Sequence, residues 1–332
     1  MDSERDIIVI GTSNGGFSTL PKLMAQFPSD FPAAFFIVQH LGAGATALPL
    51  VENIQKASSL VCKIASNGES IQYGHIYIAP PDHHMLLKKG QVMVIRGPRE
   101  NRFRPSIDML FRSAAAEYRS QVIGVVLTGM LDDGTCGLEA VTKTGGLTVI
   151  QDPNEAEFPE MPLSAIRNLH INHVSTIADM GNLLKELIKE PANENQTVPK
   201  DVLLEAAIAE RYITGIENIE QIGKQIPISC PDCGGTLWQI TESQLPRFRC
   251  HVGHAFNGAG LMRSHSKAME ETLWVSLRLM EERLHMLMTM HEDEQKAKNY
   301  KFAATLSERI EEVKIHIARI REIMASNEIY KG

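Results

Sequence analysis

From residue 6 to about residue 189 the chain alternates short apolar, β-rich runs with amphipathic stretches, and this alternation most restricts its fold. Asp6–Ile10, Ala34–Gln39, Leu60–Ala65, His75–Ala79, Gln121–Leu127 and Leu147–Ile150 are the strand candidates. A strand that is apolar on both sides must be covered on both faces. With helical patterns between the strands, that means a mostly parallel, doubly wound α/β sheet with helices on both faces. Met85–Ile95 predicts a hairpin that turns on Lys89-Gly90.

After this first domain, expected over residues 1–189, the pattern breaks at the polar segment Glu190–Thr197. Residues 190–226 read as a linker and a helix, the latter around Asp201–Ile219. Residues 227–258 read as a small zinc-ribbon-like module, and residues 259–332 as an α-helical hairpin. In the last segment Leu273, Leu277, Met280, Leu284 and Leu287 recur at helical spacing, as do Ile310, Val313, Ile317 and Ile320, with a break near Lys296–Tyr300. Met280, Met286, Met288 and Met290 read as adaptable core. The net charge of −7 and the glutamates Glu270, Glu271, Glu281 and Glu282 argue against a nucleic-acid binder. The chain has no secretory h-region and no apolar stretch of membrane-spanning length, so a cytoplasmic protein without membrane insertion is expected.

Gly11-Thr12-Ser13-Asn14-Gly15 follows a strand and opens a helix, which fits the G-x-S-x-G spacing in its required setting. Small flanking residues let the backbone turn sharply and expose the hydroxyl. The helix N-terminus beside it offers free N–H groups to a developing oxyanion. Two other uses compete: Ser13 as a plain helix cap, and a phosphate-cradling turn. Against the phosphate turn, the glycines at 11, 15 and 16 do not give G-x-G-x-x-G, and the second strand ends in Gln39-His40 rather than an acid. His40 ends the second strand, and Asp132 and Asp133 follow the strand Val122–Leu127. Parallel strands end on one edge, so a hydroxyl, an imidazole and a carboxylate are expected at one crevice. Either aspartate could orient the histidine.

At these residues the chain resembles the catalytic domain of CheB-type protein-glutamate methylesterases. The resemblance covers about residues 5–189. It runs through Ile10–Gly16, Val38-Gln39-His40, His75–His84 and Arg104-Pro105-Ser106-Ile107-Asp108, then Leu127–Gly134, Gln151-Asp152-Pro153 and Phe158–Pro162. It implies Ser13 as nucleophile, His40 as general base and Asp133 as its orienter, with Asn14 and Met130 lining the oxyanion site. The implied reaction is hydrolysis of glutamate γ-methyl esters on methyl-accepting chemotaxis receptors, releasing methanol, with deamidation of receptor glutamines through the same kind of acyl-enzyme. The alternative is a catalytically silent scaffold that binds receptor helices. Well-known family members carry a phosphorylatable receiver domain ahead of the catalytic one. With five residues before the first strand, control in cis is expected to be absent here. Arg96, Arg99, Arg102 and Arg104 are either a docking surface for acidic receptor helices or a solvated loop.

Cys230-Pro231-Asp232-Cys233 is a C-x₂-C knuckle, and sixteen residues separate it from Cys250. Zinc takes four tetrahedral N/S ligands, and Cys230, Cys233, Cys250 and His254 supply them at ordinary spacing. His251 is the other candidate for the fourth position. Four protein ligands leave no place for water, so the site reads as structural, with its loss expected to cost thermal stability more than turnover. Cys62 and Cys136 read as buried hydrophobes.

Overall fold

The structure is a computed structural model, describing residues 4–42, 44–88, 90–193, 195–211 and 219–327. In chain order the elements are β1 (Ile7–Thr12), α1 (Gly16–Met24), β2 (Ala34–Gln39), α2 (Leu48–Ala57), β3 (Val61–Ile64), β4 (Glu69–Ser70) and β5 (His75–Ile78). Next come β6 (His84–Lys88), β7 (Gln91–Ile95), α3 (Ile107–Tyr118), β8 (Val122–Val126), α4 (Thr135–Lys143), β9 (Leu147–Gln151), α5 (Glu160–Asn168), β10 (His173–Ser175) and α6 (Ile177–Leu187). The chain continues through α7 (Lys200–Arg211), β11 (Gly223–Ser229), β12 (Thr236–Ile240), β13 (Arg247–Cys250), β14 (Ala255–Asn257), α8 (Gly258–Lys296) and α9 (Tyr300–Asn327).

Seven strands form one sheet in the order β10-β9-β8-β1-β2-β5-β3, all parallel. In β1 successive side chains serve opposite faces. Ile8 and Ile10 join a core with Leu20 and Leu23 of α1, Ile54 of α2 and Leu184 of α6. Ile7 and Val9 join a second core with Leu110 and Phe111 of α3, Leu138 of α4 and Met161 of α5. The strand is apolar from Ile7 to Gly11 because neither face meets water. Strand order reverses at β1, whose neighbours β2 and β8 are reached in opposite directions. The crevice outside the C-terminal ends of β1 and β8 is therefore where such sheets hold ligands.

The hairpin β6–β7 forms with the expected register, Lys88 opposite Gln91, and β4 adds a third strand; Lys89 lies outside the described residues. Of the helix expected over Asp201–Ile219, Lys200–Arg211 is helical, and 212–218 lie outside the described residues. That helix packs on α3, with Val202 in the sheet's second core.

The chain divides into two compact units at Leu261/Met262. The small antiparallel sheet β11-β12-β13-β14 belongs to the first, with Cys230, Leu237, Cys250, Phe256 and Leu261 as its core. It is tied to the α/β part by buried charges. Arg112 of α3 meets Glu100 at 2.5 Å and Glu205 of α7 at 3.2 Å. Arg247 of β13 meets Glu205 at 2.5 Å, and Arg249 meets Glu100 at 3.3 Å. All five side chains are almost wholly out of solvent. Burial alone would push both glutamates towards the neutral form. The arginines overcome it: Glu100 is held low by Arg112 and Arg249, Glu205 by Arg247 and Arg112.

In the second unit α8 and α9 pack along Leu277 and Leu287 against Leu306, Ile310, Val313 and Ile317. Of the four methionines expected in this core, only Met280 faces the seam. Met286, Met288 and Met290 are exposed, because they fall off the stripe set by Leu277, Leu284 and Leu287.

Candidate active site

Thr12 and Gln39 are register partners at the ends of β1 and β2, and each is followed directly by a predicted site residue, Ser13 and His40. Neighbouring strands lie about 5 Å apart, so the ladder itself sets these residues side by side. The turn after Ser13 is clamped: its N–H donates to Thr128 O at 3.1 Å, and its carbonyl accepts from Gln39 Nε2 at 2.7 Å. Two glycines make the turn possible. Gly15 has φ 84° and caps α1, and a Cβ at Gly16 would lie 2.1 Å from Gln39 Oε1. Ser13 makes no side-chain cap to α1. Its Oγ donates to Asn14 Oδ1 at 3.5 Å, not to His40.

His40 and Asp133 meet. Nε2 of the ring lies 2.9 Å from Asp133 Oδ2. The other nitrogen, Nδ1, is buried and finds no protein partner among the described residues. The ring lies flat on Phe103, with centroids 3.7 Å apart and planes 6° from parallel. Asp133 is buried and well supplied with donors: Ile107 N at 2.8 Å, Ser106 Oγ at 3.0 Å, and Asn101 Nδ2 and Asp108 N at 3.4 Å. Burial pushes its carboxyl up, but the hydrogen bond and charge of His40 and the Ile107 N–H outweigh that and hold it below the ordinary range. Of the two aspartates left open by the sequence, Asp133 faces the ring, while Asp132 lies half-exposed outside this contact.

Asn14 and Met130 touch across the crevice, with Asn14 Nδ2 3.4 Å from Met130 Sδ. Among the described residues neither donates its backbone N–H to a protein acceptor. Several supporting residues were not foreseen from the sequence. Asp108 accepts from Gly134 N at 3.0 Å and Gly137 N at 2.6 Å. Burial first, then the charges of Asp133 and Glu100, drive its carboxyl well above the ordinary range. His84, kept neutral by burial with a pKa lowered to about 4, bridges Pro98 O and Ser106 N. The run Arg104–Asp108 carried a family signal, but Asn101 and Phe103 had none beyond nearness to it.

A cleft of about 510 Å³ opens beside His40, lined by Leu41, Gly42, Pro81, Asp82, Arg99, Arg102, Phe103 and Arg104 among others. Asp82 pairs with Arg104 at 2.5 Å and with Arg96 at 2.9 Å, whereas Arg99 and Arg102 are exposed to solvent. The wall is net positive. Cys136, near the crevice, is buried, and burial followed by the Asp108 charge pushes its thiol far up, so it offers no thiolate. Burial likewise pushes Cys62 up to about 12.

The ligand atoms of Cys230, Cys233, Cys250 and His254 all lie within 4.8 Å of one another. Cys233 Sγ is 3.7 Å from Cys250 Sγ, which is 3.6 Å from His254 Nδ1. A tetrahedron with bonds of about 2.3 Å has edges of roughly 3.8 Å, so the cluster fits a metal ion. His251 is outside it, set edge-on to Trp238 with ring centroids 6.4 Å apart. Among the described residues no helix is long and apolar enough to cross a membrane.

Known proteins share this arrangement's sequence. A relative from Leptospira interrogans, named for protein-glutamate methylesterase/protein-glutamine glutaminase activity, is 37% identical over 183 residues, 55% of this chain and 94% of that one. A protein-glutamate methylesterase/protein-glutamine glutaminase from Photorhabdus laumondii is 38% identical over 182 residues, 54% of this chain but 51% of that one. The crystal structure of the Thermotoga maritima CheB methylesterase catalytic domain superposes over its whole length and 57% of this chain, with a TM-score of 0.54 and 34% identity. The family profile described as CheB methylesterase matches residues 8–184, more than half of the sequence. On that match, the chain belongs to the CheB methylesterase family.

Proposed function

We propose that this protein is a serine esterase that removes methyl groups from glutamate γ-methyl esters on the cytoplasmic helices of methyl-accepting chemotaxis receptors. One observation carries the reading. Asp133 Oδ2 accepts from His40 Nε2 at 2.9 Å, which leaves the lone pair on Nδ1, a buried nitrogen with no protein partner among the described residues. A serine hydroxyl is too weak an acid to attack unaided, and a histidine held in this tautomer is the base it needs. Ser13 Oγ is held only by a long contact to Asn14 Oδ1, 3.5 Å, and has to turn from it to His40 Nδ1 as substrate binds.

In the proposed reaction Ser13 Oγ attacks the ester carbonyl as its proton passes to His40 Nδ1. The oxyanion is held by the free N–H groups of Asn14 and Met130. Collapse breaks the bond to the methoxy group, which leaves as methanol with the proton from His40. Water, deprotonated by the same nitrogen, then hydrolyses the acyl-enzyme to glutamate and free serine. A glutamine side chain would react likewise, with ammonia leaving. Asp133 keeps its charge throughout and stabilises the imidazolium. The positive wall formed by Arg99 and Arg102 suits an acidic helical substrate. Zinc is the ion that a three-thiolate, one-imidazole set favours, and with all four positions taken it would not bind the ester or its water.

The test is methanol release from methylated receptor. Ser13→Ala should abolish it, and Asp133→Asn should lower it by about 10⁴-fold through the wrong histidine tautomer. Receptor binding with full methanol release by Ser13→Ala would favour another nucleophile and end this reading.

A further inference from the structure

One side chain, that of Asn101, touches both the metal-binding hairpin and the carboxyl of Asp133. Cys250 and His254 stand at the two ends of the β13–β14 turn, closed by Cys250 N donating to His254 O at 3.0 Å. The next residues grip the loop that precedes α3. Asn101 N donates to Ala255 O at 2.8 Å, and Asn257 N donates to Asn101 Oδ1 at 2.8 Å. The other end of the same amide turns inward, Nδ2 donating to Asp108 Oδ2 at 2.9 Å and Asp133 Oδ1 at 3.4 Å. Two residues later Phe103 lies on the His40 ring.

We propose that Asn101 is a positioning residue that makes the metal hairpin part of the support of the active site, so that an ordered Cys230/Cys233/Cys250/His254 site is required to hold His40 and Asp133 in their working geometry. The inference rests on the esterase reading for its kinetic consequence.

The residue type is narrowly determined. The position needs an acceptor towards the module and a donor towards two carboxyl groups, and only a side-chain amide offers both at this length. It also needs a left-handed backbone, φ 51°, which asparagine tolerates better than most residues. Asn101 is 3% exposed, so water cannot replace either contact cheaply. The neighbouring Glu100–Arg249 pair holds the same loop to the same hairpin. A site expected to serve stability alone thereby gains a catalytic consequence.

The experiment uses the full chain and a fluorophosphonate, which reacts with an activated serine whatever the natural substrate. Asn101→Ala removes both contacts. Asn101→Ser also gives up the contacts to Asp108 and Asp133 but adds no third carboxyl group beside them, as an aspartate would, and so guards against failure to fold. Either variant should slow the limiting modification rate of Ser13 about 10–100-fold with little change in the half-saturating probe concentration. Chelating the metal should slow the wild type comparably, and re-adding Zn²⁺ should restore it. In Asn101→Ala, chelation should add little, because both changes cut the same connection.

Proton NMR of the hydrogen shared by His40 and Asp133 gives a second readout, independent of activity. Its downfield resonance should be lost or shifted in the folded variants and in the chelated wild type. A wild type that reacts with the probe alongside Asn101 variants and chelated protein that react equally fast, with the resonance unmoved, overturns this inference and leaves the esterase reading intact. A wild type that does not react at Ser13 overturns the esterase reading, and the NMR comparison still decides whether Asn101 and the metal hold the pair. Fully additive effects of chelation and Asn101→Ala would show two separate routes and also overturn the proposal.

Discussion

Replacing Glu205 by glutamine tests the claim that the antiparallel module and the α/β sheet stand or fall together. The substitution keeps the shape of a side chain that is 1% exposed and faces Arg112, Arg247 and Arg249 at 3.2, 2.5 and 3.6 Å. It leaves three buried guanidinium groups with Glu100 as the one remaining carboxylate of the cluster. Removing one partner from a buried ion pair costs about 3–5 kcal/mol, mostly because the other charges stay buried and unpaired. For a unit of this size each kcal/mol moves the melting temperature by roughly 2–4 °C, so a drop of roughly 6–20 °C is expected. Glu205 is held below the ordinary glutamate range, so its contribution is fully present above the unfolded-state value and is lost as pH falls through the lower folded-state value. The gap between wild type and Glu205→Gln should therefore be flat from neutrality down to the ordinary glutamate range and close only below it. Trp238 lies in β12, so in a Trp274→Phe background its fluorescence follows the module while far-ultraviolet circular dichroism follows the whole chain. The two signals should lose the first unit at one shared, lowered temperature. A melting temperature within about 2 °C of wild type, or Trp238 melting well ahead of the sheet, would refute the reasoning.

Gly16→Ala should destabilise the protein by about 1–3 kcal/mol, since the added carbon would sit 2.1 Å from Gln39 Oε1 and 2.5 Å from Thr12 Oγ1; thermal melting checks it, and an unchanged melting temperature would count against the clamped turn. Replacing Arg99 and Arg102 together by glutamate should raise KM for methylated receptor severalfold with kcat little changed, and should weaken the salt dependence of KM. An unchanged KM at low ionic strength would return these arginines to a solvated loop.

Much of the α/β sheet could be read from the sequence because its strands are apolar on both faces. Ala34–Gln39 matched the observed strand, whereas β1 runs on from the expected Ile10 to Thr12 because Gly11 and Thr12 still find register partners in Val38 and Gln39. Ser13, His40 and the aspartate pair could be placed on one edge because parallel strands share a direction. What sequence could not give is which long-range partners fill the space behind them. Asn101, Phe103 and Asp108 act through contacts with residues 25 to 156 positions away, and nothing local marks the first two. Nothing in the sequence singled out Arg247 and Arg249; they are buried because Glu205 and Glu100 meet them from other parts of the fold.

The pairing of Thr12 with Gln39 has a consequence for how such a protein can change. The gap between residues 13 and 40 is fixed by a rung of backbone, the least negotiable dimension in the molecule, and not by any loop. Insertions, exchanged helices or a remodelled rim can alter what approaches the crevice without prising these two side chains apart. New specificity can thus be tried at the periphery while the chemistry underneath is left undisturbed.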